Sequence, residues 1–298
     1  MEQKTKNALG TSCSPQTTLP EDYTFNLSDF ALFMSVMKVK EAYEDVLSII
    51  LDETDLRLRE VKVEQVVLNK SGKRAIRLDA WAQDTQNRQF DMEMQNDANA
   101  DDIRKRSRFY QGMIDTPILK SGKETRYKNL PSTTIIFITQ DDIFGKNLAM
   151  YTFRERCEEV PELSLDDGTS KIFLNMTSMN GRPELISLLQ YMKCTTLSNE
   201  NISVRDERIL DLDRIVSEVK QSEEWEDVKM NILDIGIARG KEFGEQIGRL
   251  KALVENVEAI MDNFNISLKQ ACEGLNSTVE EYEEAKEQIA LWNKGRSE

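Results

Sequence analysis

No histidine occurs anywhere in the 298 residues. That absence excludes Ser-His-Asp hydrolysis, Cys-His thiol catalysis and histidine-ligated zinc, because each needs an imidazole. Cysteine is scarce too: Cys13, Cys157, Cys194 and Cys272 never approach a C-x-x-C spacing. Neither a metal knuckle nor a disulfide framework is expected, and reduced thiols in a cytoplasmic protein are the plain reading. No run of about 18 apolar residues is present, and Met1 to Pro20 has no apolar stretch, so neither a membrane span nor a signal peptide is expected. What is there is 39% hydrophobic and 31% charged residues, enough for one sizeable core with accessory helices.

The formal charge of −14 argues at first sight against a nucleic-acid partner, since phosphate binding draws on Lys and Arg. Its distribution changes that inference. Residues 196–298 hold 13 basic and 23 acidic residues, a net −10, whereas residues 1–195 carry only −4. Within the first part, Ile103 to Lys128 contains eight basic residues against Asp115 and Glu124. A basic patch is thus hidden beside an acidic tail. Charge runs are also the ordinary composition of a solvated face, and both readings stand on composition alone.

Residues 1–22 are polar and aperiodic, with Pro15 and Pro20, and read as a disordered leader. Phe30, Phe33, Met34 and Met37 follow a helical period, with Ser28 or Asp29 as cap, and Tyr43, Val46, Leu47 and Ile50 repeat it over Lys40 to Leu51. From Val61 the period falls to two. A strand to Leu68, a turn at Asn69–Gly72, a strand Ile76–Trp81, a turn at Gln83–Asn87 and a strand Arg88–Gln95 make a meander. Alternation puts Phe90, Met92 and Met94 on one face of the third strand and Asp91, Glu93 and Gln95 on the other. A basic helix over about Ala100 to Met113, a buried strand Ser132–Thr139, a strand Lys171–Asn175 after the Asp167-Gly168 turn, and a helix Pro183–Tyr191 complete residues 23–195. The expected fold class is α/β, a mixed β-sheet flanked by helices.

Residues 196–298 read as an all-helical C-terminal extension. Val204, Ile209, Leu212, Ile215, Val216 and Val219 form one stripe. Gly236, Gly240, Gly244 and Gly248 then recur every fourth residue, which suits either close helix contact or a partly frayed linker, since each glycine costs roughly 1 kcal/mol of helicity. Two capping boxes, Ser267–Gln270 and Thr278–Glu281, open a closing pair of short helices. Self-association of the chain through these helices is a further expectation.

One constellation carries chemistry. Asp79 on the second strand and Glu93 on the third meet where adjacent strands are joined by a short turn. Paired carboxylates suit a hard divalent cation such as Mg²⁺ without any histidine, and such an ion activates water and neutralises a phosphodiester transition state. An acidic protein also produces this spacing by chance, as ordinary surface carboxylates. The context favours the site: a β-meander, apolar residues alternating with the acids, and a basic helix directly after it.

Asp79, then Glu93-Met94-Gln95, then Arg106-Ser107-Arg108-Phe109-Tyr110 resembles the PD-(D/E)XK nuclease family transposases and the recombination-promoting nucleases, over roughly residues 24–235. The glycine-punctuated helix and short-helix pair of 236–290 also look like that family's tail. The resemblance implies a restriction-endonuclease-like core, Mg²⁺- or Mn²⁺-dependent (or Ca²⁺-binding) DNA cleavage, and a link to mobile elements or recombination. It implies Asp79 and Glu93 as metal ligands, with the Met94 carbonyl as a third, and Gln95 in the position where the wider superfamily has lysine. An acid from the first helices completes such sites; Glu44 is preferred over Asp29 and Glu53. Arg104, Arg106, Arg108 and Tyr110 are the expected DNA contacts, although Tyr110 packed on the sheet under Arg106 is an equal reading. Trp81 and Trp225 are expected in the core.

Overall fold

The change of period near Val61 coincides with the passage from paired helices into a sheet. The computed structural model describes residues 23–67, 75–96, 102–119 and 126–294, with the side chains of 233–245 and 291–294 outside that description. Helices α1 (Phe30–Met37) and α2 (Lys40–Leu51) precede strands β1 (Leu58–Val67), β2 (Ile76–Asp84) and β3 (Gln89–Gln95). There follow α3 (Ile103–Asp115), β4 (Thr133–Thr139), β5 (Met150–Phe153), β6 (Thr169–Asn175) and α4 (Pro183–Lys193). The expected leader, the turn at Asn69–Gly72 and the first residues assigned to the basic helix lie outside the described residues.

The sheet runs β1-β2-β3-β4-β6-β5. Strands β1 to β3 form the antiparallel meander, β4 and β6 add in parallel, and β5 closes the far edge antiparallel to β6. Strand β5 has no counterpart in the sequence reading: four residues are too few for alternation to register, and its pairing with β6 alone defines it. Strand β1 is the other edge, and there Arg59, Glu60, Lys62 and Glu64 crowd charge onto its length, with Lys62 lying 5.2 Å from the Trp81 ring. Interior strand β4 carries the continuous apolar run Ile135–Ile138, wholly buried, as a parallel strand covered on both faces requires.

Helix α3 starts on Asp102, whose carboxylate accepts the Lys105 N–H at 3.2 Å. Helix α2 ends at Asp52 in the left-handed region, φ 59°, and Arg182 ties that end to the start of α4. The Arg182 guanidinium donates to the carbonyls of Ile49 and Ile50 and pairs with Asp52, so a cation meets the negative end of the helix dipole.

Two compact units emerge, 24–226 and 227–298. Helix α5 (Glu207–Lys220) packs along α2 in the first unit, so packing divides the chain after Glu226 although charge composition changes at Thr195. Trp81 and Trp225 are both buried in this unit; the Trp225 ring meets Phe25 edge-on at 5.1 Å. Helix α6 (Glu223–Phe264) continues through the glycine repeat without a break. A Cβ at Gly248 would meet open space among the described residues of the chain; Gly236, Gly240 and Gly244 lie outside the described side chains. In the second unit, Val257, Ala271, Cys272 and Tyr282 form a small core among α6, α7 (Leu268–Gly274) and α8 (Val279–Lys294). Both capping boxes form: Ser267 with Gln270, and Thr278 with Glu281, each by reciprocal bonds. No helix among the described residues is long and apolar enough to cross a membrane.

Between α2 and α5, half-buried Asp45 has its carboxyl pushed up to about 6, first by desolvation and then by Asp211, against a lowering by Arg208. The folded state therefore holds this proton more tightly than the unfolded chain does, and stability falls as pH rises from about 4 through about 6. Asp45→Asn is expected to raise the melting temperature at pH 7.5 while changing it little at pH 4; a lower melting temperature at pH 7.5 would contradict the assignment.

Candidate active site

Strands β2 and β3 keep a regular ladder only from Ala80–Met92 to Gln83–Gln89. Beyond it, toward the carboxyl end of β3, side chains take over from the backbone. The Asp79 N–H donates to Glu93 Oε1 at 2.9 Å, and the Met94 N–H donates to Asp79 Oδ2 at 3.2 Å. Each carboxylate thus satisfies a main-chain donor of the opposite strand, which fixes both side chains without spending a flexible partner. On the other side β3 is in parallel register with β4, Glu93 opposite Phe137 and Gln95 opposite Thr139.

Helix α3 covers this end of the sheet with Arg106 and Tyr110, spaced i, i+4 on one helical face. The Arg106 guanidinium uses its whole fork: Nη2 to Glu93 Oε2 at 2.5 Å, Nη1 to Gln95 Oε1 at 2.9 Å, and Nε to the Tyr110 hydroxyl at 2.9 Å. It also lies 4.9 Å from the Tyr110 ring and 5.6 Å from that of Phe137. Tyr110 is therefore both packed on the sheet and bonded to Arg106. The face expected to be polar is not solvated, because Glu93 and Asp91 are 0% exposed.

Those acids are expensive to ionise. Burial raises the Glu93 carboxyl to about 8, Asp79 adds to the rise, and Arg106, the Asp79 N–H and Tyr110 pull it back. Asp79 is raised to about 6 by burial, against the Met94 N–H, Arg106 and Arg77. Asp91 lies well above the usual carboxylate range, again first through burial, then through Glu93 and Asp79, and neither of its oxygens has a hydrogen-bond partner among the described residues. Burial and mutual repulsion thus hold back negative charge on these acids, and a cation beside Asp79 and Glu93 would favour their ionised forms.

The sequence candidates divide cleanly. Asp79, Glu93, Met94, Gln95, Arg106 and Tyr110 come together. Arg104 and Arg108 stay on the exposed face of α3, with Arg104 bonded to Asp102. Glu44 does not reach the site: its carboxylate accepts the Leu58 N–H at 2.6 Å, and Leu58 pairs with Asp84 at the other end of β2 from Asp79. Asp29 accepts the Asn26 N–H, and Glu53 binds Arg88 through both oxygens. Helix α2 turns its apolar face to the sheet, so Tyr43, and not its neighbour Glu44, packs against the backbone of β2. The Tyr43 hydroxyl donates to the Ala80 carbonyl at 2.9 Å, and Asp91 and Glu93 both add to the rise that burial gives its pKa. Asp91 is the acid that spacing did not single out, although alternation had placed it on the face of Glu93.

Among the described residues, no three Asp, Glu or Cys side chains are grouped closely enough to hold a metal ion. The donor set of Asp79 and Glu93 nevertheless suits a hard cation: two carboxylates held on neighbouring strands by each other's main chain, with a third buried acid, Asp91, two residues along β3. Such an ion needs its remaining donors from main-chain carbonyl, water or a phosphate oxygen.

A mixed six-stranded sheet with flanking helices and a helical C-terminal part is the architecture of a restriction-endonuclease-like core. The chain belongs to the PD-(D/E)XK nuclease family transposases, whose family description matches residues 21–235, the whole first unit and the start of α6. No curated protein and no solved structure matches it.

Asp91 offers a direct check on the electrostatics. Its folded-state pKa is raised, so its contribution to stability is fully present below about pH 4 and is lost as pH rises. Asp91→Asn is expected to raise the urea midpoint at pH 8 clearly and at pH 4 hardly at all; equal midpoints for the two proteins at pH 8 would refute the burial penalty.

Proposed function

We propose that the protein is a divalent-metal-dependent DNA endonuclease that hydrolyses phosphodiester bonds in the service of a mobile element or of recombination. The observation that carries this reading is the interlocked pair Asp79 and Glu93, buried beneath the guanidinium of Arg106 at the carboxyl end of β3. Asp79 and Glu93 hold the cation, and Met94, whose N–H already bonds Asp79, brings its main chain alongside them. A bound Mg²⁺ or Mn²⁺ supplies a water of lowered pKa and neutralises charge that builds on the phosphate.

The chain's own residues do the remainder. Gln95 is a neutral amide held by Arg106; it orients a water but carries no charge to stabilise an emerging hydroxide. Arg106 and Tyr110 meet the scissile or adjacent phosphate. Arg104 and Arg108, exposed on the same helix, contact neighbouring phosphates, and such contacts position the strand without reading its sequence. Glu44 is left to its role at the start of β1.

A second reading has its own support. Gln95 replaces the patterned lysine and Arg106 already occupies Glu93, as in a nuclease fold kept for DNA binding or assembly after catalysis is lost. The two readings separate on supercoiled plasmid with Mg²⁺ or Mn²⁺. Wild type is expected to nick it, and Asp79→Ala and Glu93→Ala to fall by about 100-fold or more, as loss of several kcal/mol of charge stabilisation requires. Salt-sensitive DNA binding with no cleavage by any of the three proteins selects the second reading.

A further inference from the structure

Each oxygen of Glu93 already has a donor. Oε1 accepts the Asp79 N–H and Oε2 accepts from Arg106, with Tyr110 also beside the carboxylate, and Glu93 is 0% exposed while the Arg106 side chain is 24% exposed. The guanidinium is thus the lid between Glu93 and solvent. Its other two partners, Gln95 and the Tyr110 hydroxyl, are neutral, and the rings of Tyr110 and Phe137 flank it. Those contacts keep the guanidinium anchored when its bond to Glu93 is given up. Gln95 is matched to this arrangement: its Oε1 accepts from Nη1, whereas an ammonium at residue 95 would set two cations against each other.

We propose that Arg106 is a displaceable plug on Glu93, released when a nucleic-acid phosphodiester takes its guanidinium, so that the divalent cation and the nucleic acid bind with positive coupling. The inference rests on Asp79 and Glu93 being the metal ligands. Two cations compete for Glu93, one tethered and one diffusible, and the tethered one is always present at high local concentration. A phosphodiester offers the planar fork the same paired oxygen geometry as a carboxylate, at a position outside the buried pair. Moving the fork to the phosphate takes the tethered cation off Oε2 and at the same time fixes the phosphate over the pair. Because binding linkage is reciprocal, the cation strengthens DNA binding by the factor by which DNA strengthens cation binding.

The test is Mn²⁺ binding to the full chain, read from the electron paramagnetic resonance signal of free Mn²⁺, with and without a hydrolysis-resistant phosphorothioate duplex. Wild type is expected to bind Mn²⁺ about 10-fold more tightly with the duplex, and Arg106→Gln to bind it about 10-fold more tightly than wild type without any duplex and to gain little from adding one. Arg106→Lys keeps the charge but loses the fork, so its duplex-free affinity is expected between the two; it carries the test should Arg106→Gln not fold. Mn²⁺ affinities of Arg106→Gln and Arg106→Lys at or below wild type, with binding still abolished in Glu93→Gln, overturn the plug and leave the metal site standing. Mn²⁺ binding that Glu93→Gln and Asp79→Asn leave unchanged overturns the metal assignment itself.

Discussion

Three buried acids, Asp79, Asp91 and Glu93, lie close together on this sheet with the guanidinium of Arg106 bonded to one of them, and the local architecture follows from accommodating them. Full burial of Glu93 is tolerable only because each of its oxygens has a donor, one from the backbone of β2 and one from α3. The first donor fixes where β2 parts from β3. The second fixes the rotation of α3 over the sheet, since Arg106 and Tyr110 must share the face that meets Glu93 and Phe137. Asp91, which has no donor among the described residues, shows what the same burial costs without one: its acid stays protonated far above the usual range.

The site sits on a seam. On one side β3 pairs antiparallel within a local meander; on the other it pairs parallel with β4, a strand that arrives after a helix. Gln95, Thr139 and Asn175 stand in register at the carboxyl ends of β3, β4 and β6, with the Thr139 hydroxyl and the Asn175 amide bonded to nearby carbonyls. Carboxyl ends of parallel strands are where open α/β sheets gather polar ligands, because the backbone there turns away and leaves its groups available. The proposed chemistry thus uses the parallel half for the rim and the antiparallel half for the acids.

Much of this was legible in the residues. A period of two marked the meander, the β-branched run at Ser132–Thr139 marked an interior strand, found at Thr133–Thr139, and the reciprocal Ser/Thr and Gln/Glu pairs marked the last two helices. Asp79 and Glu93 were legible as a pair because strand alternation is a local rule, whereas Arg106 was singled out through the family resemblance, as a phosphate contact and not as the partner of Glu93. Glu44 was misplaced because local rules do not say how a helix is rotated against a sheet: Tyr43 and Glu44 differ by one position, and the buried face of α2 chose the tyrosine. Strand β5 was invisible for a related reason, being made by its neighbour and not by its own four residues. Burial of Asp91 also escaped, since alternation assigns a face but not what covers it.

The long edge of β1 has a consequence for the fate of the molecule in a crowded solution. An unpaired strand of this length is a template on which a strand from another molecule can add, and apolar, flat edges are where such growth begins. Here Arg59, Glu60, Lys62 and Glu64 line that edge, and Glu64 adopts φ 51°, which interrupts the regular backbone midway. A foreign strand would have to strip water from those charges and follow a kinked template. The sheet is therefore finite on the side where it is longest, and Asp79, on the neighbouring strand β2, is protected from a rival that would pry the meander open.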